Sequence, residues 1–416
     1  MNILLINHYA GSPEMGMEYR PYYLAKEWIS MGHKVMIVAA SFSHVRTNQP
    51  DVKTNFQNKN IDGIDYFWIK TPEYKGNSAK RFFNMLIFVD KLSHKANLIA
   101  KTFIPDVVIA SSTYPLDIFP ANRIAKKSKA KLVFEIHDLW PLSPMELGGY
   151  SKFHPFIMLM QYAENYAYKK CDSVISILPK TLEHTVNHGL DSTKWNCVPN
   201  GIILDEWRNI EKIDSEIYNQ ILEQKKLGKK LIAYTGTVGL ANALDTFIDT
   251  AKILINQNIT FFIVGKGPEK ERFLKRKTDE KIENLFFINP VPKQQVPDLL
   301  SKFDFLYIGL QSQSLFRFGI SPNKIFDYMM AEKPIIQAID AGNNIIEEAE
   351  CGITVKPENA EETAAAILKL SEFQESKLEC MGKNGKEFVL KNHEFSILAE
   401  KFIKILEKNS KIEDLN

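Results

Sequence analysis

The chain is constrained most by a series of short, uninterrupted apolar runs. They are ILLI (3–6), KVMIVAAS (34–41), IDYFWI (64–69), DVVIASS (106–112), KLVFEIHD (131–138) and DSVISI (172–177), then KLIAYTG (230–236), TFFIVGKG (260–267), LFFINPV (285–291), FLYIGL (305–310) and PIIQAI (334–339). Each is too short for a core helix and apolar at consecutive positions, which is the signature of a strand covered on both faces. Helix-period stretches lie between them, at about 20–31, 243–256, 268–279 and 295–302. Strand, crossover helix and strand in repeated order give a parallel, doubly wound sheet. The series breaks at the turn signal Pro199-Asn200-Gly201 and restarts at 230 after a polar stretch, so the chain needs two such sheets. The expected division is 1–205 and 206–393, with 360–371 helical and a helix 394–408 free to pack back on the first domain. The fold class is therefore α/β, with two Rossmann-like domains.

The 416 residues, 45% hydrophobic and 25% charged, suffice for two cores. No apolar run reaches 18 residues and the first residues read as a strand rather than a signal segment, so a cytoplasmic protein is expected. Cys171, Cys197, Cys351 and Cys380 show no paired metal-ligand spacing. The net charge of +2 hides an asymmetry: residues 1–205 hold 23 Lys/Arg against 18 Asp/Glu, a surplus of five, and the remainder 29 against 32, a deficit of three. A surplus of five is too small to indicate nucleic acid. The first βαβ unit has glycines in its turn, but the second strand ends in Ala40-Ser41, where a dinucleotide site needs an acid.

The stretch FRFGISPNKIFDYMMAEKP (316–334) reads as a loop opening into a helix. Ser321 is a preferred N-cap and Pro322 suits the first helical position. Ile325, Phe326, Met329 and Met330 form a buried stripe, leaving Lys324 and Asp327 on one surface. A helix N-terminus supplemented by Lys324 suits a diphosphate, and Asp327, roughly 4.5 Å further along the axis, could reach an attached ribose. The same two residues could equally form an exposed ion pair on an ordinary core helix.

Gly319-Ile-Ser-Pro-Asn-Lys-Ile-Phe-Asp-Tyr-Met resembles the nucleotide-sugar motif of retaining family 4 glycosyltransferases, most closely a bacterial surface-polysaccharide branch resembling N-acetylfucosamine transferases. The resemblance implies a GT-B architecture, two domains facing a cleft, and a nucleotide-sugar donor bound by the second. It implies donor contacts at Arg317, Gly319, Ser321, Asn323, Lys324 and Asp327; at Gly236 and Thr237; and at Gly265 and Val291. In the first domain Gly16, Glu18 and Arg20 resemble the family's N-terminal loop and would face the cleft. His137 and Asp138, at the end of the 131–138 run, match a catalytic-site position, so His137, Asp138, Arg20 and Lys324 are the candidate catalytic residues.

The sequence also departs from that pattern. Thr237 and Asn242 stand where many members carry arginine and lysine, Gly319 stands where the first of two motif glutamates is usual, and Asp327 replaces the second. Glu332 occupies a helix-ending position where glycine is common and would have to turn left-handed at about 1 kcal/mol. No Asp-x-Asp occurs, so neither a metal nor another cofactor is expected beyond a donor of UDP type.

Residues 80–104 and 148–170 mix basic and aromatic residues as interfacial helices do, or as packed helices with solvated lysines do. With the resemblance, they suggest a peripheral membrane protein acting on a lipid-linked saccharide. A sugar-nucleotide 2-epimerase and a non-catalytic sugar-nucleotide-binding subunit remain open as alternatives.

Overall fold

The computed structural model describes residues 1–16, 19–76 and 79–408. These divide into two compact units, one of the described residues in 1–200 with 395–408 and the other of residues 201–394.

The first unit holds an eight-stranded sheet in the order β3-β4-β2-β1-β5-β6-β7-β8. Its strands are β1 (Asn2–Ile6), β2 (Lys34–Ala40), β3 (Gln57–Ile61), β4 (Ile64–Ile69), β5 (Val107–Ala110), β6 (Lys131–Ile136), β7 (Ser173–Ser176) and β8 (Trp195–Cys197). All pairings are parallel except the β3–β4 hairpin. The six apolar runs of this half are the six inner strands. The two edges escaped the sequence pattern: β3, QNKNI, is exposed along most of its length, and β8 has three residues. Helix Phe395–Lys408 belongs to this unit, where Phe402 meets Trp28 edge-on at 5.0 Å between centroids.

The second unit holds a six-stranded parallel sheet in the order β11-β10-β9-β12-β13-β14. Its strands are β9 (Lys230–Thr235), β10 (Ile259–Val264), β11 (Leu285–Ile288), β12 (Phe305–Gly309), β13 (Ile335–Ala338) and β14 (Gly352–Val355). Alternate side chains enter two separate cores. Leu231, Ala233, Phe262 and Leu306 pack on one face with the Asn323–Met330 helix, and Ile232, Phe261, Phe305 and Phe247 pack on the other. Burial on both faces explains why these strands are apolar throughout.

Strand order reverses between β1 and β5 in the first sheet and between β9 and β12 in the second. Ligands of such sheets bind beyond the strand C-termini at that reversal. The loops after β1, β5, β9 and β12 are thus the places to look, and they carry Asn7–Gly16, Ser111–Tyr114, Gly236–Asn242 and Leu310–Ile320.

Candidate functional site

In the second unit, the helix expected from Ser321 begins at Asn323 and runs to Met330, with Pro322 in the cap position and extended at φ −75°, ψ 129°. The start is one residue later than a Ser321 cap implies, because Pro322 keeps an extended ψ. Ile325, Phe326, Met329 and Met330 are buried as the periodicity requires. Tyr328 sets the helix on the sheet: its hydroxyl accepts the N–H of Thr235, the last residue of β9, at 2.8 Å. That anchor places the preceding turn, with Lys324, over the loop that follows β9.

Lys324 does not form a surface pair with Asp327. Its Nζ donates to the Tyr234 hydroxyl at 2.8 Å and to Asn242 Oδ1 at 3.2 Å, and lies 4.2 Å from the centre of the Tyr234 ring. Tyr234 and Asn242 in turn donate to the carbonyl of Thr237. The Asn242 that replaces an expected cation thus positions one. Among the described residues no carboxylate pairs with the ammonium, and burial lowers its pKa to about 7. Asp327, one turn on, is part-buried with its pKa raised to about 6. Desolvation dominates, with Lys293 and a Trp207 hydrogen bond opposing it and Glu206 adding to it. The helix therefore carries a cation and an anion three residues apart, each held by other partners.

Gly236 and Thr237 are exposed on the β9 loop, against which the β10 loop packs. Gly265, at φ +155°, lies so close that a Cβ there would overlap the Gly236 carbonyl oxygen. Any side chain would push the loops apart, so this glycine is required by contact as well as by φ. Val291 is part-buried against the core that holds the helix. Arg317 is exposed on the 3₁₀ segment Ser314–Phe318, its guanidinium donating to the Ser314 carbonyl at 2.6 Å and lying 4.4 Å from the Phe318 ring centre. Gly319 follows at φ +92°, and Ile320 is held on both backbone atoms by Asn343. Ser321 is part-buried and Asn323 exposed beside them. Glu332 is left-handed as expected, at φ +55°, and pairs with Lys386 at 2.6 Å.

The first unit treats its candidates differently. Gly16 ends the turn Pro13–Met15 at φ +69°, with the loop of Thr47 so close that a Cβ would sit 2.9 Å from Thr47 Oγ1. Glu18 lies outside the described residues. Arg20, expected to face a ligand, is 6% exposed and committed to structure. Its guanidinium donates twice to Glu135 Oε1, at 2.9 and 3.0 Å, and to the carbonyls of Val198 and Pro199. Glu135, 1% exposed on β6, is the residue the sequence reading passed over. Its signal was a lone carboxylate inside an apolar run, which cannot stay buried without a cation. Burial alone would raise its pKa, but Arg20, His137 and Ser111 outweigh that and hold it down at about 2.

His137 follows β6, with Nε2 3.2 Å from Glu135 Oε2 and 3.0 Å from Ser111 Oγ, so Glu135 orients the ring as well as pairing Arg20. Asp138, the next residue, is exposed and lines a pocket of about 690 Å³ together with Arg81, Phe82, Trp140 and Phe156. The structure thus joins Arg20, Glu135, Ser111 and His137 in one hydrogen-bonded group, and Tyr234, Thr237, Asn242 and Lys324 in another, with Gly236 beside the Lys324 ammonium.

Among the described residues one group could present metal ligands, Glu164, His184 and His188, whose ligand atoms lie within 4.8 Å of one another. Glu164 there already accepts from Gln161 and Tyr168 and contacts His184 Nε2 at 2.9 Å, a satisfied hydrogen-bond cluster rather than an open coordination sphere. The 80–104 segment, a helix over Ala79–Thr102, packs its apolar stripe inward. Arg81, Lys91 and Lys95 meet Tyr9, a backbone carbonyl and Phe56. Among the described residues no helix is long and apolar enough to cross a membrane.

Two family models match the two halves of this architecture. Residues 15–206 match Glycosyltransferase Family 4 and residues 229–372 match Glycosyl transferases group 1. The chain is a glycosyltransferase of two Rossmann-like domains, the GT-B class. It is similar to the probable glycosyltransferase WbjE of Pseudomonas aeruginosa, 24% identical over 77% of this chain and 78% of that one. The putative colanic acid biosynthesis glycosyl transferase WcaI of Escherichia coli is 22% identical over 82% and 85%. Among solved structures, Anabaena HepE in complex with UDP and glucose superposes with a TM-score of 0.65 at 14% identity, over 98% of this chain and 99% of that one.

Proposed function

We propose that this glycosyltransferase moves a sugar from a nucleoside diphosphate, with UDP the leading donor base, onto a lipid-linked saccharide in bacterial surface-polysaccharide assembly. The observation that carries the reading is Lys324: a cation with no carboxylate partner among the described residues, held by Tyr234 and Asn242 beside a glycine loop at the strand reversal. A group so placed is worth most to a ligand that brings its own negative charge. The departing diphosphate gains charge as the glycosidic bond breaks, so Lys324 stabilises the transition state more than the ground state. Arg317 lies on the β12 loop that leads into this helix and is the second cation the reading assigns to the donor.

Two cationic side chains and a helix N-terminus make a divalent ion unnecessary for this step. Turnover is expected to persist in excess EDTA; a strict requirement for Mg²⁺ or Mn²⁺ would overturn metal independence. Configuration at the anomeric carbon is expected to be retained by displacement on one face, with leaving-group oxygens serving as base. The similarity to WcaI, named for colanic acid biosynthesis, supports polysaccharide assembly, and UDP in HepE supports the donor class. By the same reasoning the protein works in the cytoplasm, at the inner membrane face, and an N-acetylated amino sugar is the first donor to try.

The test is a thermal-shift screen of nucleoside diphosphates and their sugars, followed by NMR of the product. A Tm rise with UDP and a product coupling constant matching the donor's anomer are expected. An inverted product would remove the retaining mechanism. A new sugar nucleotide formed without acceptor would replace transfer by epimerisation.

A further inference from the structure

The pocket of about 690 Å³ in the first unit plays no part in holding the donor groups described above. It opens beyond the C-terminal ends of β5 and β6, where Thr113 and Asp138 reach it, and is closed by the helices Ala79–Thr102, Leu142–Gly148 and Pro155–Lys170. Its wall is aromatic: Phe156 stands edge-on to Phe82 at 5.3 Å and to Trp140 at 6.0 Å. One cation, Arg81, enters it, and the Asp138 carboxylate lines the same pocket within its electrostatic reach. Arg81 lies 5.6 Å from the Trp140 ring centre and 5.7 Å from that of Tyr9, whose hydroxyl accepts from its Nη2. The apolar lining does not stop at the mouth. Leu147 and Tyr150 line the pocket while 57% and 47% exposed, and Phe153 beyond them is 74% exposed.

Exposed apolar residues continuous with an aromatic pocket are costly in water unless something apolar covers both. A free saccharide would leave them uncovered. We propose that this pocket takes the first part of the hydrocarbon chain of a lipid-diphosphate carrier, with Arg81 meeting the carrier phosphate and the apolar rim resting in the membrane from which the chain emerges. The volume falls within the range of roughly 300–1,000 Å³ that buries a drug-sized molecule, enough for the chain's first units but not its whole length. The inference rests on the transferase reading and adds to it that the enzyme recognises the lipid, not only the acceptor sugar.

The probes are geranyl and farnesyl diphosphate, inorganic diphosphate and farnesol, titrated by calorimetry into the full chain with UDP present to occupy the donor site. Farnesyl diphosphate is expected to bind at least tenfold more tightly than geranyl diphosphate, since each buried methylene is worth about fourfold in affinity. Inorganic diphosphate should bind at least a hundredfold more weakly. Arg81→Gln should weaken farnesyl diphosphate about tenfold and farnesol little. Leu147→Glu at the rim should abolish the chain-length preference, with melting temperature as the check on folding. Because the Arg81 substitution could disturb Tyr9 and Trp140, the rim variant keeps the test valid if the first unfolds. Equal affinity for the two prenyl lengths, or an unchanged preference in Leu147→Glu, would overturn the pocket assignment while leaving sugar transfer intact. Failure to bind any nucleoside diphosphate would instead remove the transferase reading on which it rests.

Discussion

The two units each bury charge near the C-terminal edge of a parallel sheet, and they do it in opposite ways. In the first, Arg20 and Glu135 satisfy each other at 2.9 Å, and backbone carbonyls take the remaining guanidinium donors. In the second, Lys324 is held among the described residues by neutral groups, and Asp327 one turn away has the Lys293 charge and a Trp207 hydrogen bond, which do not offset its desolvation. The consequences are visible in the pKa values. Glu135 is driven down to about 2 by its partners, whereas Lys324 falls and Asp327 rises because desolvation wins. A completed pair has nothing left to offer a ligand. A charge held by neutral groups alone, as Lys324 is among the described residues, keeps a free-energy cost that an incoming anion relieves, as substrate-binding groups do. By this criterion Arg20 has its donors committed within the fold, while Lys324 is the cation the proposed reading assigns to the donor.

The largest effect that would break the comparison is on stability. Arg20→Ala leaves Glu135 buried without its cation and is expected to cost about 3–5 kcal/mol, lowering the melting temperature of the first unit by roughly 10 °C. Glu135 also predicts a pH dependence. Its folded pKa lies below that of an unfolded glutamate, so its contribution is complete above the unfolded value near pH ~4.3 and drains away as pH falls toward about 2. Glu135→Gln should lose that segment of the melting profile between pH 5 and 2. An Arg20→Ala variant that melts like wild type but turns over a hundredfold more slowly would reverse the assignment and make Arg20 a substrate contact.

Next in size is Lys324→Ala, for which stability and activity should move apart. Removing a desolvated cation relieves strain, so the melting temperature should hold or rise, while kcat falls by roughly 10² or more for want of one preorganised charge. A stable variant with wild-type kcat would sink the nucleotide assignment.

A smaller effect follows from the Lys324 pKa of about 7. Its folded value lies below that of a free lysine, so the donor-free enzyme carries the charge below pH 7 and loses it above. The donor kcat/KM should fall by up to tenfold per pH unit on that alkaline limb. Lys324→Arg, which cannot deprotonate in this range, should flatten the limb. A limb that survives the substitution unchanged would belong to some other group.

Much of this could be seen in the sequence, and the remainder was hidden for identifiable reasons. The inner strands were legible because burial on both faces leaves continuous apolar runs; β3 was not, because an edge hairpin with exposed Asn58 and Lys59 carries no such run. The organising helix was legible from its periodicity, though its first residue was displaced by the extended ψ of Pro322. Lys324 and Asp327 could be singled out from their spacing, but not their partners: Tyr234 lies 90 residues before Lys324, and local spacing says nothing of contacts at that separation. The same holds for Arg20 and Glu135, 115 residues apart, where a helix-start arginine looked free to serve a ligand. The aromatic segment 148–170 was noticed as interfacial, yet its pocket exists only once the helix Ala79–Thr102 brings Arg81 and Phe82 against it.

The smallest expected effect distinguishes the two charges of the second unit from each other. Asp327 sits beyond the first turn of the helix, where a ribose rather than a diphosphate would lie if Lys324 holds the latter. Ribose hydroxyls carry no charge that changes as the glycosidic bond breaks, so a carboxylate accepting from them binds ground and transition states alike. Asp327→Ala should therefore raise the donor KM by about tenfold, the worth of one hydrogen bond to a charged group, and leave kcat within a factor of about three. Because its pKa is raised to about 6, the wild-type donor KM should climb as pH drops below 6, and Asp327→Asn should abolish that rise. The hydrogen bond to Trp207 supplies an internal control: if Asp327 only positions that indole, the variant should shift tryptophan emission while KM stays put. A fall in kcat as large as that of Lys324→Ala would mean instead that Asp327 touches the reacting centre, and the division of labour along this helix would have to be redrawn.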